Sequence, residues 1–261
     1  MPIITLTTDF GARDHFAAVM KGVVLGIAPK ATIVDITHEI EPFAVAEAGF
    51  TIAEAWRWFP PKTIHVCVVD PGVGTSRRPI LVEAGGHFFI GPDNGLLSPI
   101  YSREPKARVR HLNAVKYFSK KISQTFHGRD VFAPAAAHLA IGARPAALGP
   151  VIADALRPAL DKPARVSTRT WNGAVIKVDR FGNLITNFHA ADFPDLLLRP
   201  ISLLAGIHAV EVLVRSYAEA PPDEPVAIIG SSGYLEIVIN QASAAKILRC
   251  GVGTPIELNV H

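Results

Sequence analysis

Three short stretches of this chain gather side chains able to do chemistry. They are Thr7-Thr8-Asp9-Phe10-Gly11, Val69-Asp70-Pro71-Gly72-Val73-Gly74 with Arg77 close behind, and Thr125-Phe126-His127-Gly128-Arg129-Asp130. Asp9, set between a β-branched run and a glycine, can hold a vicinal diol of the ribose kind while Gly11 lets backbone approach closely. It is equally suited to capping a following helix, and spacing does not separate the two. Asp70 opens a rigid loop of one proline and two glycines, and Arg77 is near enough to fold back, pair with it or hold a polarised water. The same two residues also fit a plain structural ion pair. His127 stands before an expected helix start, exposed to titrate or to bond a nucleophile, and only its polar neighbours distinguish it from the other histidines.

The elements that must carry these residues follow from periodicity. Residues 3–7 read as a buried strand, and Phe16, Val19, Met20, Val23, Val24 and Ile27 recur at helical spacing until Pro29 stops them. A second strand is expected over 32–36, a second helix over 44–58 and a third strand over 64–69, which runs straight into Asp70. Asp9 and Asp70 thereby fall at the C-terminal ends of parallel strands, where α/β sheets collect ligands. A hairpin is expected over 80–83 and 87–90 around Gly85-Gly86, and a helix over 129–141. Prolines thicken across 150–163, read as a linker or surface strap. The expected organisation is an α/β sandwich domain over 1–165 with a mostly parallel sheet, then a smaller all-β barrel or sandwich over 166–261, with strands over 174–178, 184–187, 201–204, 208–214, 226–229, 234–239 and 256–260 and one brief helix at 242–248.

The second domain offers Asp179-Arg180-Phe181-Gly182-Asn183 and Gly230-Ser231-Ser232-Gly233-Tyr234-Leu235-Glu236. Asn183 could match the edge of an adenine and Phe181 could present an aromatic face, although an ordinary hairpin turn accounts for the same residues.

Composition excludes several classes. With 261 residues, 49% hydrophobic and 19% charged, the chain can build a core. Its net charge of +3 is scattered, which argues against a nucleic-acid partner. Cys67 and Cys250 lack CxxC spacing, so neither a disulfide framework nor a zinc site is expected and a reducing cytoplasm fits. No signal peptide or membrane span is expected from the apolar patterning. No HExxH or HxH occurs, and His38-Glu39-Ile40-Glu41 offers one imidazole before Pro42, so no metal is expected. Phosphate-binding glycine loops are also missing, which leaves a nucleoside without phosphates open.

Taken together, TTDFG, VDPGVG with Arg77, GPDNGLL at 91–97, TFHGRDVFAP, DRFGNLITN and GSSGYLEI resemble the S-adenosyl-L-methionine (SAM) hydroxide adenosyltransferases, or SAM hydrolases, in order over nearly the whole chain. The superfamily also contains the SAM-dependent fluorinase and chlorinase. The resemblance implies an N-terminal α/β domain, a C-terminal β-barrel, and a homotrimer holding substrate between one subunit's N-domain and its neighbour's C-domain. It implies that water attacks C5′ of SAM, giving adenosine and L-methionine with no cofactor. Matched by motif, the catalytic set is Asp70, Arg77 and His127. Asp9 would hold the ribose, Phe10, Phe43 and Phe181 would line the adenosine pocket, and Asn183 would face the adenine. Asp179, Ser231 and Glu236 would face methionine. A halogenase is the nearest alternative, disfavoured because Asp70 would repel a halide. A protein that only binds adenosine or SAM is the other.

Overall fold

The computed structural model describes residues 1–158, 162–194, 196 and 198–261. The chain divides into two units, Met1–Pro158 and Ala159–His261, and the division lies within the proline-rich stretch, of which residues 159–161 are outside the described residues. The fold is mixed α/β.

In the first unit, Ile3–Thr8 forms β1, and residues 4–8 are all fully buried, as expected of a strand covered on both faces. It lies between β2 (Thr32–Thr37) and β3 (Ile64–Val68), parallel to both. Beyond β3 come the hairpin partners β4 (Pro79–Ala84) and β5 (His87–Pro92), then β6 (Arg108–His111) and β7 (Val151–Ile152), giving the order β2-β1-β3-β5-β4-β6-β7. The chain leaves β1 toward one side for β2 and crosses to the other for β3. Their connections therefore diverge at the C-terminal ends of β1 and β3, a topological switch point.

Helices cover both faces. Helix α1 (Phe16–Ile27) presents Met20 and Val24 to a core containing Ile4, Leu6, Val66 and Phe132. On the other face α2 (Val45–Ala55) packs Ile52 in a core with Cys67, Val69 and Phe89, joined by Ile100 from α3 (Ser98–Arg103). The expected helix over 129–141 begins instead as a wide π-turn, Gly128–Phe132, and becomes regular only in α4 (Ala133–Ala140). Such widened turns recur at functional sites because they displace one side chain from helical register. A short helix α5 (Pro145–Leu148) precedes β7.

The second unit is one curled sheet. Its strands are β8 (Ala164–Arg165), β9 (Thr170–Val178), β10 (Leu184–His189), β11 (Ile201–Ala205), β12 (His208–Val210), β13 (Leu213–Val214), β14 (Pro225–Ile229), β15 (Tyr234–Ile239) and β16 (Pro255–Val260). The path runs β12-β11-β16-β9-β10-β15-β14-β13, with β8 paired to β9. Phe188, Leu203, Leu235, Ile237 and Leu258 fill the core, and the brief helix α6 (Ala244–Leu248) is capped by Ser243, whose hydroxyl accepts from the Lys246 N–H. The single strand expected over 208–214 is in fact two, because β12 bonds to β11 while β13 bonds to β14 at the opposite end of the path.

Candidate active site

The loop after β3 carries Asp70 and returns with Arg77 over the same strand end. Arg77 Nε donates to Asp70 Oδ1 at 2.9 Å and its Nη2 to Asp70 Oδ2, a two-pronged pair whose side chains are 9% and 5% exposed. The same Nη2 lies 2.7 Å from His127 Nδ1. A guanidinium can only donate, so His127 Nδ1 accepts and its ring proton resides on Nε2. Burial first, and the Arg77 charge second, hold the His127 pKa below its ordinary value. Arg77 also rests over the Phe132 ring at 5.3 Å, and its Nη1 is buried without a hydrogen-bond partner among the described residues.

Two features draw the imidazole to this point. Gly74, at φ +78°, presses so closely on the Gln124 carbonyl that a Cβ would sit 2.3 Å from it. Asp130 accepts from the Ser123 N–H at 2.8 Å, fixing the loop that leads into the π-turn.

Asp9 follows β1 on the neighbouring strand end. The structure excludes one of its two expected uses: α1 has no side-chain cap, and Asp9 Oδ2 instead accepts from the Phe43 N–H at 3.0 Å. Phe43 is held at φ +69° with its ring 71% exposed. Phe10, Phe16 and Phe126 form an aromatic cluster with centroids 5.2–5.8 Å apart. Asp9, Phe10, Phe43, Asp70, Phe126 and His127 together border a cleft of about 270 Å³. Arg77 stands outside that lining, bonded to Asp70 and His127, which belong to it. A larger hollow of about 370 Å³ opens near Met1 and Lys62 at the other end of β1, and no carboxylate or imidazole lines it.

In the second unit, Asp179 organises the turn between β9 and β10. Its Oδ1 accepts from the N–H groups of Phe181 and Asn183, both at 2.9 Å, and its Oδ2 accepts from Asn183 Nδ2 at 2.8 Å. Asn183 thus commits an amide proton to Asp179, and Nδ2 also lies 3.4 Å from the Tyr217 hydroxyl. Phe181 is 78% exposed, and Ser231 sits in the exposed turn before β15. Glu236 is buried on β15 against Gly230, where a Cβ would meet its Oε1 at 1.8 Å. Burial first, then the Asp179 charge, push its carboxyl up to about 7. Tyr217 is raised by burial and by both carboxylates.

The site residues read from sequence therefore fall into two groups. Asp9, Phe10, Phe43, Asp70, Arg77 and His127 meet around one strand edge; Asp179, Phe181, Asn183, Ser231 and Glu236 belong to two turns and a strand of the second unit. Sequence reasoning gave no role to Phe16, Phe126 or Tyr217. Phe126 lay within the histidine motif, whereas Tyr217 had no signal, since only folding brings it to Asp179.

The chain is similar to known proteins over nearly its whole length. Residues 4–149 match the SAM hydroxide adenosyltransferase N-terminal domain and residues 173–257 the C-terminal domain. The chain is 36% identical over 262 residues to a protein of Thermus thermophilus named (R)-S-adenosyl-L-methionine hydrolase, covering 96% of this chain and 97% of that one. It is 29% identical over 276 residues to a fluorinase of an Actinoplanes species, covering 94% and 93%. A crystal structure of a conserved Thermotoga maritima protein superposes with a TM-score of 0.92 at 34% identity, covering 98% of this chain and 99% of that one.

Proposed function

Because this chain belongs to the SAM hydroxide adenosyltransferase family, we propose that it hydrolyses S-adenosyl-L-methionine to adenosine and L-methionine, water attacking C5′ as the thioether departs. The observation that carries the mechanism is Arg77 bonded at once to Asp70 and His127 beside the cleft. The sulfonium is already a good leaving group, so the reaction needs an aligned nucleophile and no metal or other cofactor. Holding one water in line can contribute roughly 7 to 11 kcal/mol at the upper limit.

His127 donates from Nε2 to a lone pair of that water, and Asp70 accepts its proton or a hydrogen bond from it. Burial and then the Arg77 charge keep the imidazole neutral, and Arg77 holds both groups aimed. One C–O bond forms, one C–S bond breaks, and one proton leaves. Asp9 holds the ribose diol through the oxygen not bonded to Phe43, with Phe10 and Phe43 against the nucleoside. Phe181 and Asn183 meet the adenosine, and Asp179, Ser231 and Glu236 meet the methionyl end. An incoming halide would be repelled by Asp70, which favours water over the halogenation named in the more distant relatives.

The relatives' names support the (R) configuration at sulfur as the substrate form. The second unit is read as a small barrel, supported by β12 packing against β14 across the sheet path. We read the assembly as a homotrimer with sites shared between subunits; Phe43 and Phe181, one exposed in each unit, are apolar surface that such sharing would cover. A reducing cytoplasm is supported by two buried free thiols, Cys67 and Cys250. Among the described residues no helix is long and apolar enough to cross a membrane.

The test is to incubate each sulfonium epimer of SAM with the protein in oxygen-18 water. The 5′-hydroxyl of adenosine should carry the label, faster from the (R) epimer; unlabelled adenosine, or none, would refute hydrolysis. Light scattering on the same sample should give three times the subunit mass.

A further inference from the structure

His38 has no second imidazole at metal-ligand spacing, yet it stands in a network that no part of the proposed mechanism uses. It follows β2, an edge strand, and its side chain is only 11% exposed. Its Nδ1 lies 2.8 Å from the Thr8 hydroxyl, and that hydroxyl accepts from the Phe10 N–H at 3.2 Å. Its buried Nε2 faces Asp35 Oδ1 at 3.1 Å, a charge contact without the alignment of a hydrogen bond, and the other oxygen of Asp35 is 2.5 Å from Lys21 Nζ on α1. The main chain adds to the lacing, with the Gly11 N–H donating to the His38 carbonyl at 2.7 Å.

The consequence is geometric. Thr8 is the last residue of β1, and Asp9 and Phe10 follow it into the cleft. The turn bearing them is held at its start by Thr8 and beyond its end by Lys21, and both holds converge on Asp35 and His38. The carboxylate beside Nε2 favours the tautomer protonated there, which leaves Nδ1 to accept from Thr8 and leaves the Thr8 oxygen to accept from Phe10. Asp35 stays ionised in this role. Although burial acts to raise its pKa, the bond from Lys21 and the nearness of His38 outweigh that and hold it below its ordinary value. Thr8 itself is fully buried, so its hydroxyl depends on these protein partners.

We propose that His38 is the positioning residue for the nucleoside end of the cleft: through Thr8 and Asp35 it fixes the turn that aims Asp9 and Phe10 at the ribose. This rests on the reading of Asp9 as the diol ligand. His38 touches neither substrate nor water, so its removal should loosen binding and spare the chemical step.

The test uses His38→Ala, His38→Asn and His38→Gln in the full chain, each checked by circular dichroism and thermal melting. Adenosine Kd by calorimetry and KM and kcat for SAM are the readouts. In His38→Ala, Kd and KM should rise about five- to tenfold, the loss of one well-made bond, with kcat within about twofold. Asparagine places an amide atom near the position of Nδ1 and should restore most of the affinity; glutamine, which mimics Nε2, should not. In an Asp9→Ala background, His38→Ala should add less than about twofold, since the group being aimed is gone.

Unchanged affinity in His38→Ala, an undiminished effect without Asp9, or rescue by glutamine and not asparagine would overturn the inference. Should His38→Ala fail to fold, the asparagine and glutamine pair decides. A wild type that binds adenosine but leaves SAM intact would refute hydrolysis while this inference stands or falls on adenosine Kd; a wild type that binds no adenosine would overturn both.

Discussion

Glu236 makes a quantitative prediction possible, because its carboxyl is displaced from 4.5 to about 7. If Asp179 and Glu236 receive the ammonium of the methionyl group, tight binding requires Glu236 to be ionised. At pH 7 about half the molecules meet that condition, and at pH 5.5 only about 3% do, so L-methionine should bind roughly fifteenfold more weakly at the lower pH. The α-ammonium of the ligand stays protonated throughout this window, so the protein supplies the titration. Competitive inhibition of SAM hydrolysis by L-methionine, followed from pH 5.5 to 7, measures it. Glu236→Gln should be locked at the weak level with a flat profile. Asp179→Asn, which removes the second cause of the shift, should move the midpoint toward acid. A flat wild-type profile, or one that survives in Glu236→Gln, would show that this carboxylate does not meet the ammonium.

Asp70→Ala and His127→Ala should each lower kcat by about 10²- to 10⁴-fold while adenosine Kd stays within about threefold, as single-turnover kinetics beside calorimetry would record. His127 must be neutral to accept from Arg77, and burial and the Arg77 charge lower its pKa, so the acid limb of kcat should lie below the ordinary histidine range. Arg77→Met removes one cause of that shift and should move the acid limb upward in the pH–rate profile. His65, fully buried between Thr5 and His87, has its pKa lowered to about 3 by burial first and His87 second. A histidine depressed on folding contributes stability that is complete above its unfolded value near 6.5 and is lost as pH falls toward 3. Urea denaturation should therefore show about 2 kcal/mol less stability at pH 5 than at pH 7.5, and His65→Phe should shrink that difference.

How much of this was legible before folding depended on whether a residue's partner was near in sequence or carried by a recognisable motif. Asp70 and Arg77 share one loop, so their pairing could be raised from spacing, and His127 was marked by its motif. The bond between Arg77 and His127 joins the loop after β3 to the start of the π-turn, which no local pattern connects. Asp9 shows the limit: its sequence context fitted a cap and a diol ligand equally, and only the path of the loop bearing Phe43 excluded the cap. Strong periodicity carried α1 and β15 to the residue. It missed β6 and β7, whose short polar or isolated runs become strands only because β4 offers an edge to β6 and β6 offers one to β7. Along the chain His38 keeps the company of Glu39 and Glu41, whereas its partners Thr8 and Asp35 come from two different strands.

The enclosure of the Asp70–Arg77 pair has a consequence for the solvent around it. Mobile ions screen charges they can approach, and these two are shut away from them. The alignment they maintain should therefore be indifferent to brine and dilute buffer alike, and any salt sensitivity of turnover would have to arise where the ligand enters.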